Sequence, residues 1–126
     1  MSPRVWQMIE GGAVAVVTFA AFPLLGLSWW IPLALFLAWD LSALGYLVNA
    51  RVGAFFYNLI HNYAGPVLLV GVGLATTSTW LVAVSLAWGF HVGVDRALGY
   101  GLKHDDAFQH THLGWIGKRK AESTPH

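Results

Sequence analysis

The segment Thr79–Leu98, TWLVAVSLAWGFHVGVDRAL, combines an apolar run with three ionisable residues in its second half. An α-helix needs about 20 residues to cross a bilayer, which is the length of this segment. His91 and Asp95 are four residues apart, so a helix places them on the same face, and Arg96 follows directly. Ionisable side chains are costly in hydrocarbon and usually pair with one another at a functional site. The segment therefore predicts a membrane-spanning helix that contributes to a polar site.

Three other stretches share this apolar character. The 126 residues are 56% hydrophobic and 10% charged, with a mean hydropathy of +0.57, whereas soluble domains average about 25% charged residues. Pro66 predicts a kink in the third stretch because it lacks a backbone N–H. We therefore predict an all-α fold, an integral membrane four-helix bundle. Its spans are Val5–Leu25, Trp30–Leu47, Gly53–Leu74 and Thr79–Leu98.

The composition changes after the last span. Residues 1–98 are predicted to form the four-helix transmembrane bundle, and residues 99–126 a short polar cytoplasmic tail on the inner surface. Within the tail, Ala107–Ile116 mixes apolar and polar residues and is predicted to lie along the membrane interface. Ala121–His126 has little apolar surface, so we expect this end of the chain to be disordered.

All the cationic side chains fall at one end of the predicted spans. The positive-inside rule then places both termini in the cytoplasm of a bacterial inner membrane. The net charge of only +1 argues against a nucleic-acid partner, and the absence of cysteine excludes disulfides and thiolate ligands. The seven cations are Arg4, Arg51, Arg96, Lys103, Lys118, Arg119 and Lys120.

One polar residue from each span lies at a similar predicted depth. Counted from the outer loops at ~1.5 Å per residue, Glu10, Asp40, His61 and His91 lie ~18–24 Å deep in a hydrocarbon core of ~30 Å. Residues placed independently would scatter through the bilayer. The common depth therefore predicts that the four helices bring these side chains together near the cytoplasmic leaflet.

Histidines and carboxylates from four helices are a suitable ligand set for a divalent metal such as zinc, iron or manganese. Without a metal, the same groups would form an acid–base network. Tyr57 and Asn58 lie one turn from His61, and Lys103 follows the last span, where it would close the inner mouth or bind a headgroup. The predicted metal ligands are Glu10, Asp40, His61, His91 and Asp95. The predicted catalytic residues are His61, His91, Asp95, Tyr57, Asn58, Arg96 and Lys103.

These residues favour a metal-dependent enzyme that acts on a lipid-like or other membrane-soluble substrate within the membrane. Transport of protons or ions through a homo-oligomer is an alternative, because intramembrane carboxylates and histidines also suit that role. Haem bound between His61 and His91 is another. A purely structural role, in which the polar side chains hold helices together, is the fourth. Gly89 and Gly93 have the spacing of a close helix contact, within the chain or with a second copy.

Three parts of the chain resemble a bacterial membrane family. They are Gly53–His61 (GAFFYNLIH), His91–Lys103 (HVGVDRALGYGLK) and Thr111–Gly114 (THLG), together with Glu10-Gly11 and Asp40-Leu41-Ser42. The pattern resembles the domain-of-unknown-function family numbered 4260. The resemblance implies a small membrane protein with several spans, and it implies no activity. Its distinctive polar positions correspond to Glu10, Asp40, Tyr57, Asn58, His61, His91, Asp95, Arg96, Lys103, Thr111 and His112.

Overall fold

The computed structural model describes residues 1–102 and 110–116. Their regular secondary structure is helical apart from one short hairpin. The elements are α1 (Pro3–Leu24), α2 (Ile31–Ala34), a 3₁₀ helix (Phe36–Leu47), α3 (Ala50–Ile60), α4 (Ala64–Ala75), α5 (Thr79–Ala97), β1 (His110–Thr111) and β2 (Gly114–Trp115). The predicted all-α fold is therefore confirmed.

Two helical stretches in the described part of the chain are long and apolar enough to cross a membrane. They are Pro3–Leu24 and Ala50–Ala75, and Ile31–Leu47 is apolar but shorter. These two candidate spans suggest a membrane protein. Passage of all four helical stretches through the bilayer stays a prediction.

The second stretch differs from the single α-helix predicted over Trp30–Leu47. It begins as the single turn α2, with Pro32 in its first turn, and continues as a 12-residue 3₁₀ helix. Runs of 3₁₀ helix this long are uncommon because their hydrogen-bond geometry is poorer than in an α-helix. Apolar composition does not distinguish the two helix types, so this difference could not be predicted from the sequence.

The third stretch is interrupted at residues 61–63 and not at Pro66. Asn62 stabilises the interruption, because its amide donates to the Asn58 carbonyl at 2.6 Å and accepts from the Ala64 N–H at 2.8 Å. Pro66 lies in the first turn of α4, where a missing N–H leaves no helical hydrogen bond unmade. The predicted kink at Pro66 is therefore wrong, and the interruption begins at His61.

Helix α5 stabilises the end of α3. The Trp88 indole donates to the Ile60 carbonyl at 2.6 Å, and the Arg96 guanidinium donates to the His61 carbonyl at 2.8 Å. Interrupted helices at membrane depth require such partners, because lipid cannot satisfy free carbonyl groups. These two side chains therefore fix the position of His61 relative to α5.

Helices α1 and α5 pack closely through glycines. A Cβ atom at Gly93 would lie 2.8 Å from both the Ala15 nitrogen and the Gly11 carbonyl oxygen. Small residues of this kind allow two helix backbones to approach each other. The close helix contact predicted at Gly93 therefore lies within the chain.

We expect Gly11→Ala to destabilise the fold by about 1–3 kcal/mol, because the new methyl group overfills a packed interface. It would overlap the Arg96 Cβ and lie 2.8 Å from the Gly93 carbonyl oxygen. Gly12→Ala is the matched control, since its nearest neighbour is the Ala97 Cβ at 3.9 Å. Unfolding in detergent micelles measures the difference. Equal stability of the two variants would contradict this packing.

The described part of the tail folds onto the start of α1. The Arg4 guanidinium donates to the Leu113 carbonyl at 2.9 Å. His112 accepts from the Leu102 N–H at 2.7 Å, so its Nε2 carries the proton and donates to the Gln7 side chain at 2.8 Å. The hairpin replaces the last part of the predicted interfacial segment. Lys103 and the predicted disordered end lie outside the described residues.

Candidate metal centre

Four side chains from three parts of the fold converge on one point. Asp40 comes from the 3₁₀ helix, His61 from the break after α3, and His91 and Asp95 from successive turns of α5. One ligand atom from each lies within 4.8 Å of the other three. The structure thus brings together four of the five predicted metal ligands.

The separations between these ligand atoms are short and similar. The Nε2 atoms of His61 and His91 are 3.1 Å apart. The Asp40 Oδ1 lies 3.2 Å from the His61 Nε2 and 3.3 Å from the His91 Nε2. The Asp95 Oδ2 lies 3.6 Å from the His61 Nε2 and 3.4 Å from the His91 Nε2.

These distances match the edges of a small coordination tetrahedron. Zinc binds imidazole nitrogen and carboxylate oxygen at ~2.0–2.1 Å, which places tetrahedral ligands ~3.3–3.4 Å apart. Five of the six ligand separations here fall between 3.1 and 3.6 Å. The group is therefore large enough for one metal ion and too small for two. It also leaves no room for a porphyrin plane between the imidazoles, so the geometry disfavours haem.

The hydrogen bonds of His61 determine which nitrogen carries its proton. Its Nδ1 lies 3.0 Å from the Tyr57 carbonyl oxygen, which can only accept. It also lies 3.3 Å from the Ser42 hydroxyl, whose own hydrogen goes to the Trp39 carbonyl at 2.9 Å. The Nδ1 must therefore be the protonated nitrogen in the neutral ring. The Nε2 lone pair consequently points at the centre of the group, as in a metal ligand with a second partner.

His91 also presents its Nε2 to the group. The ring is fully buried and packs against Phe36, with the ring centroids 4.4 Å apart. Its Nδ1 is buried and has no hydrogen-bond partner among residues 1–102 and 110–116. The contacts of this ring with His61, Asp40 and Asp95 are all made by its Nε2 atom.

Tyr57 supports the group from α3. Its ring stacks on the His61 ring with the centroids 3.8 Å apart and the planes at 1°. Its hydroxyl lies 3.5 Å from the Asp95 Oδ2 and donates towards it. Tyr57 therefore contacts two of the four candidate ligands and restricts the orientation of both.

Access to the group is from the side of the 3₁₀ helix. Both histidine side chains are 0% exposed and that of Asp95 is 11% exposed, whereas the Asp40 side chain is 44% exposed. The neighbours of Asp40 on the same helix include Leu37 and Leu41, which are strongly exposed. The opening is therefore apolar around a single carboxylate.

Glu10 does not join the four-residue group. It is exposed on α1 and lines a separate cavity with Gln7, Tyr63 and Arg96. Glu10 shares the predicted depth of the candidate ligands, but the packing of Gly11 against α5 places it beside Arg96 rather than His91. Depth along a helix does not specify which face points inward, so depth alone grouped Glu10 with the four candidate ligands.

The other predicted residues have supporting positions or are not described. Asn58 is half-buried and lines a cavity with Arg51, outside the ligand group. Arg96 donates a hydrogen bond to the His61 carbonyl and in this way supports the position of His61. Lys103 lies outside the part of the chain that the structure describes.

Two residues that support the site were not predicted from the sequence. Ser42 accepts from His61, and Trp88 caps the end of α3. A signal existed for each of them. Ser42 is a polar residue two positions after Asp40, and Trp88 lies one turn before His91 on α5.

Comparison with known proteins identifies the family and nothing more specific. No curated protein matches the chain significantly, and no solved structure does. The family described as "Domain of unknown function (DUF4260)" matches residues 4–116, a range that contains all four candidate ligands. The predicted resemblance is therefore confirmed, and the chain belongs to the DUF4260 family.

Proposed function

We propose that this protein is a membrane enzyme with one divalent metal ion, held by Asp40, His61, His91 and Asp95, and that its substrate is lipid-like or otherwise soluble in the membrane. The observation that carries the proposal is the approach of the two histidine Nε2 atoms to 3.1 Å, with a carboxylate oxygen on either side.

This arrangement favours a cation at its centre. The tautomer of His61 directs one lone pair inward, and the carboxylates of Asp40 and Asp95 contribute two negative charges. Like charges and lone pairs repel one another strongly in a buried environment. A divalent cation balances the two carboxylates and takes one lone pair from each ligand.

The ligand types favour zinc, with iron and manganese as alternatives. Two imidazoles and two carboxylates are common ligands of all three metals. The tetrahedral separations suit zinc, whereas iron or manganese would take additional ligands at the open side of Asp40. A metal held in this way supplies a Lewis acid.

The proposed substrate class follows from the surroundings of the opening. Asp40 is the most exposed ligand, and exposed leucines such as Leu37, Leu41 and Leu44 share its helix. A water-soluble substrate would gain little binding energy from contact with these leucines. A molecule that moves within the bilayer would reach the metal sideways without leaving the membrane, since catalytic pockets are mostly apolar with few polar groups.

We expect the purified protein, loaded with zinc, iron or manganese, to convert a component of a bacterial lipid extract into a new product. Lipid mass spectrometry before and after incubation detects the change. The product should be absent after metal removal and in His91→Ala, and present in His112→Ala, which removes an imidazole outside the site.

Failure of every metal-loaded sample to alter any lipid would contradict the enzymatic proposal. Flux of protons or metal ions into liposomes, without product, would instead support transport. The interruption between α3 and α4 makes transport the second candidate, because interrupted helices form ion sites in transporters.

A further inference from the structure

A second polar cavity lies between α1, the α3–α4 break and the end of α5. Its volume is about 240 Å³, and Gln7, Glu10, Tyr63 and Arg96 line it. None of these residues belongs to the four-residue metal group. The cavity is therefore a separate feature of the fold, and it places one cationic and one anionic side chain around the same space.

Arg96, Tyr63 and Glu10 can each form further hydrogen bonds with a ligand. Arg96 carries five N–H donors and gives one to the His61 carbonyl and one to the Tyr100 carbonyl at 3.1 Å. The Tyr63 hydroxyl is buried and makes no hydrogen bond within the described residues. Glu10 is exposed on α1 and lines the same cavity, where its carboxylate can accept from a ligand. A buried hydroxyl without a partner, such as that of Tyr63, is uncommon in folded proteins and calls for an explanation.

The charges of the lining residues indicate which kind of ligand the cavity would bind. Arg96 and Tyr63 offer donors to an anionic oxygen, whereas Glu10 accepts from a cationic N–H group. An anion alone would leave the Glu10 carboxylate without an N–H donor, and a cation alone would leave the remaining Arg96 donors unused. A zwitterion that contains both groups satisfies the whole set with charge-assisted hydrogen bonds.

We propose that this cavity binds a phosphoethanolamine group, with the phosphate against Arg96 and Tyr63 and the primary ammonium against Glu10. Glu10 is seven residues from the start of α1, or ~10 Å along the helix. This depth is within reach of the headgroups if α1 crosses the membrane.

The test compares three phospholipids that share the phosphate. Phosphatidylethanolamine supplies a primary ammonium, phosphatidylcholine a quaternary ammonium without N–H donors, and phosphatidylglycerol no cation. We expect native mass spectrometry of the full chain in detergent to show binding of phosphatidylethanolamine at least tenfold tighter than the other two. Soluble O-phosphoethanolamine shows whether the ligand must be a lipid. It competes well with phosphatidylethanolamine only if the headgroup binds without the acyl chains.

Single variants test each contact. Glu10→Gln should reduce the preference for phosphatidylethanolamine about tenfold, because an amide cannot form the charge-assisted bond. Tyr63→Phe should weaken binding of all three lipids several-fold, and Tyr100→Phe, which removes a phenol outside the cavity, should have no effect. Equal binding of the three lipids, or an unchanged preference in Glu10→Gln, would overturn the proposal. The metal content of Glu10→Gln should equal that of the wild type, so this test is independent of the metal centre.

Discussion

His91→Ala is expected to weaken zinc binding on the order of 100-fold or more. The substitution removes one of the four candidate ligands. The His91 Nε2 lies 3.1–3.4 Å from the other three candidate ligand atoms. Loss of a residue that only hydrogen-bonds to a metal ligand typically lowers metal affinity by about 10–100-fold. Loss of a ligand itself should lower the affinity at least as much. A competition titration with a chromophoric chelator measures the affinity directly.

His112→Ala provides the matched control for this titration. It also removes an imidazole, but one that binds Gln7 and the Leu102 backbone and is remote from the ligand group. Its zinc affinity should equal that of the wild type. If both histidine variants bind zinc as tightly as the wild type, His91 is not a ligand.

Arg96→Met is expected to destabilise the protein by about 3 kcal/mol. Arg96 is 6% exposed, and its loss leaves the carbonyls of His61 and Tyr100 without their charged donor. A buried acceptor left unsatisfied, here the His61 carbonyl, costs ~1–3 kcal/mol, and the part-buried bond to Tyr100 adds a smaller cost. Because the His61 carbonyl sits at the break after α3, metal affinity should fall in the same variant. Unfolding in detergent and the chelator titration measure the two effects.

Two further variants distinguish hydrogen bonding from charge. Arg96→Lys keeps the charge but cannot reach both carbonyls with one planar group, so it should recover only part of the stability. Arg51→Met removes an exposed arginine at the start of α3 and should change stability far less. Equal stability of Arg96→Met and Arg51→Met would contradict the role assigned to Arg96.

Much of the candidate metal centre could be predicted because its residues break the apolar pattern. His91 and Asp95 share a helix face whatever the tertiary structure, since their spacing is one helical turn. Asp40 and His61 were predictable as partners because a lone ionisable side chain is costly in an apolar helix. Their similar predicted depth indicated that these residues meet at one place in the fold.

Two other features depend on tertiary contacts that no local pattern records. The break at residues 61–63 relies on Trp88 and Arg96, which are distant in sequence. The position of Glu10 depends on which face of α1 packs against α5, and the glycine contacts decide this. Helix periodicity gives neither the partner helix nor its rotation, so the sequence grouped Glu10 with the ligands.

The coordination of metal in the wild-type protein tests the central claim most directly. The protein should be purified with a tag that contains no histidine, loaded with zinc, and analysed for metal content and by X-ray absorption. We expect one zinc ion per chain, with two nitrogen and two oxygen ligands at ~2.0–2.1 Å. A loaded protein without stoichiometric metal, or with metal that lacks imidazole ligands, would contradict a centre built from Asp40, His61, His91 and Asp95.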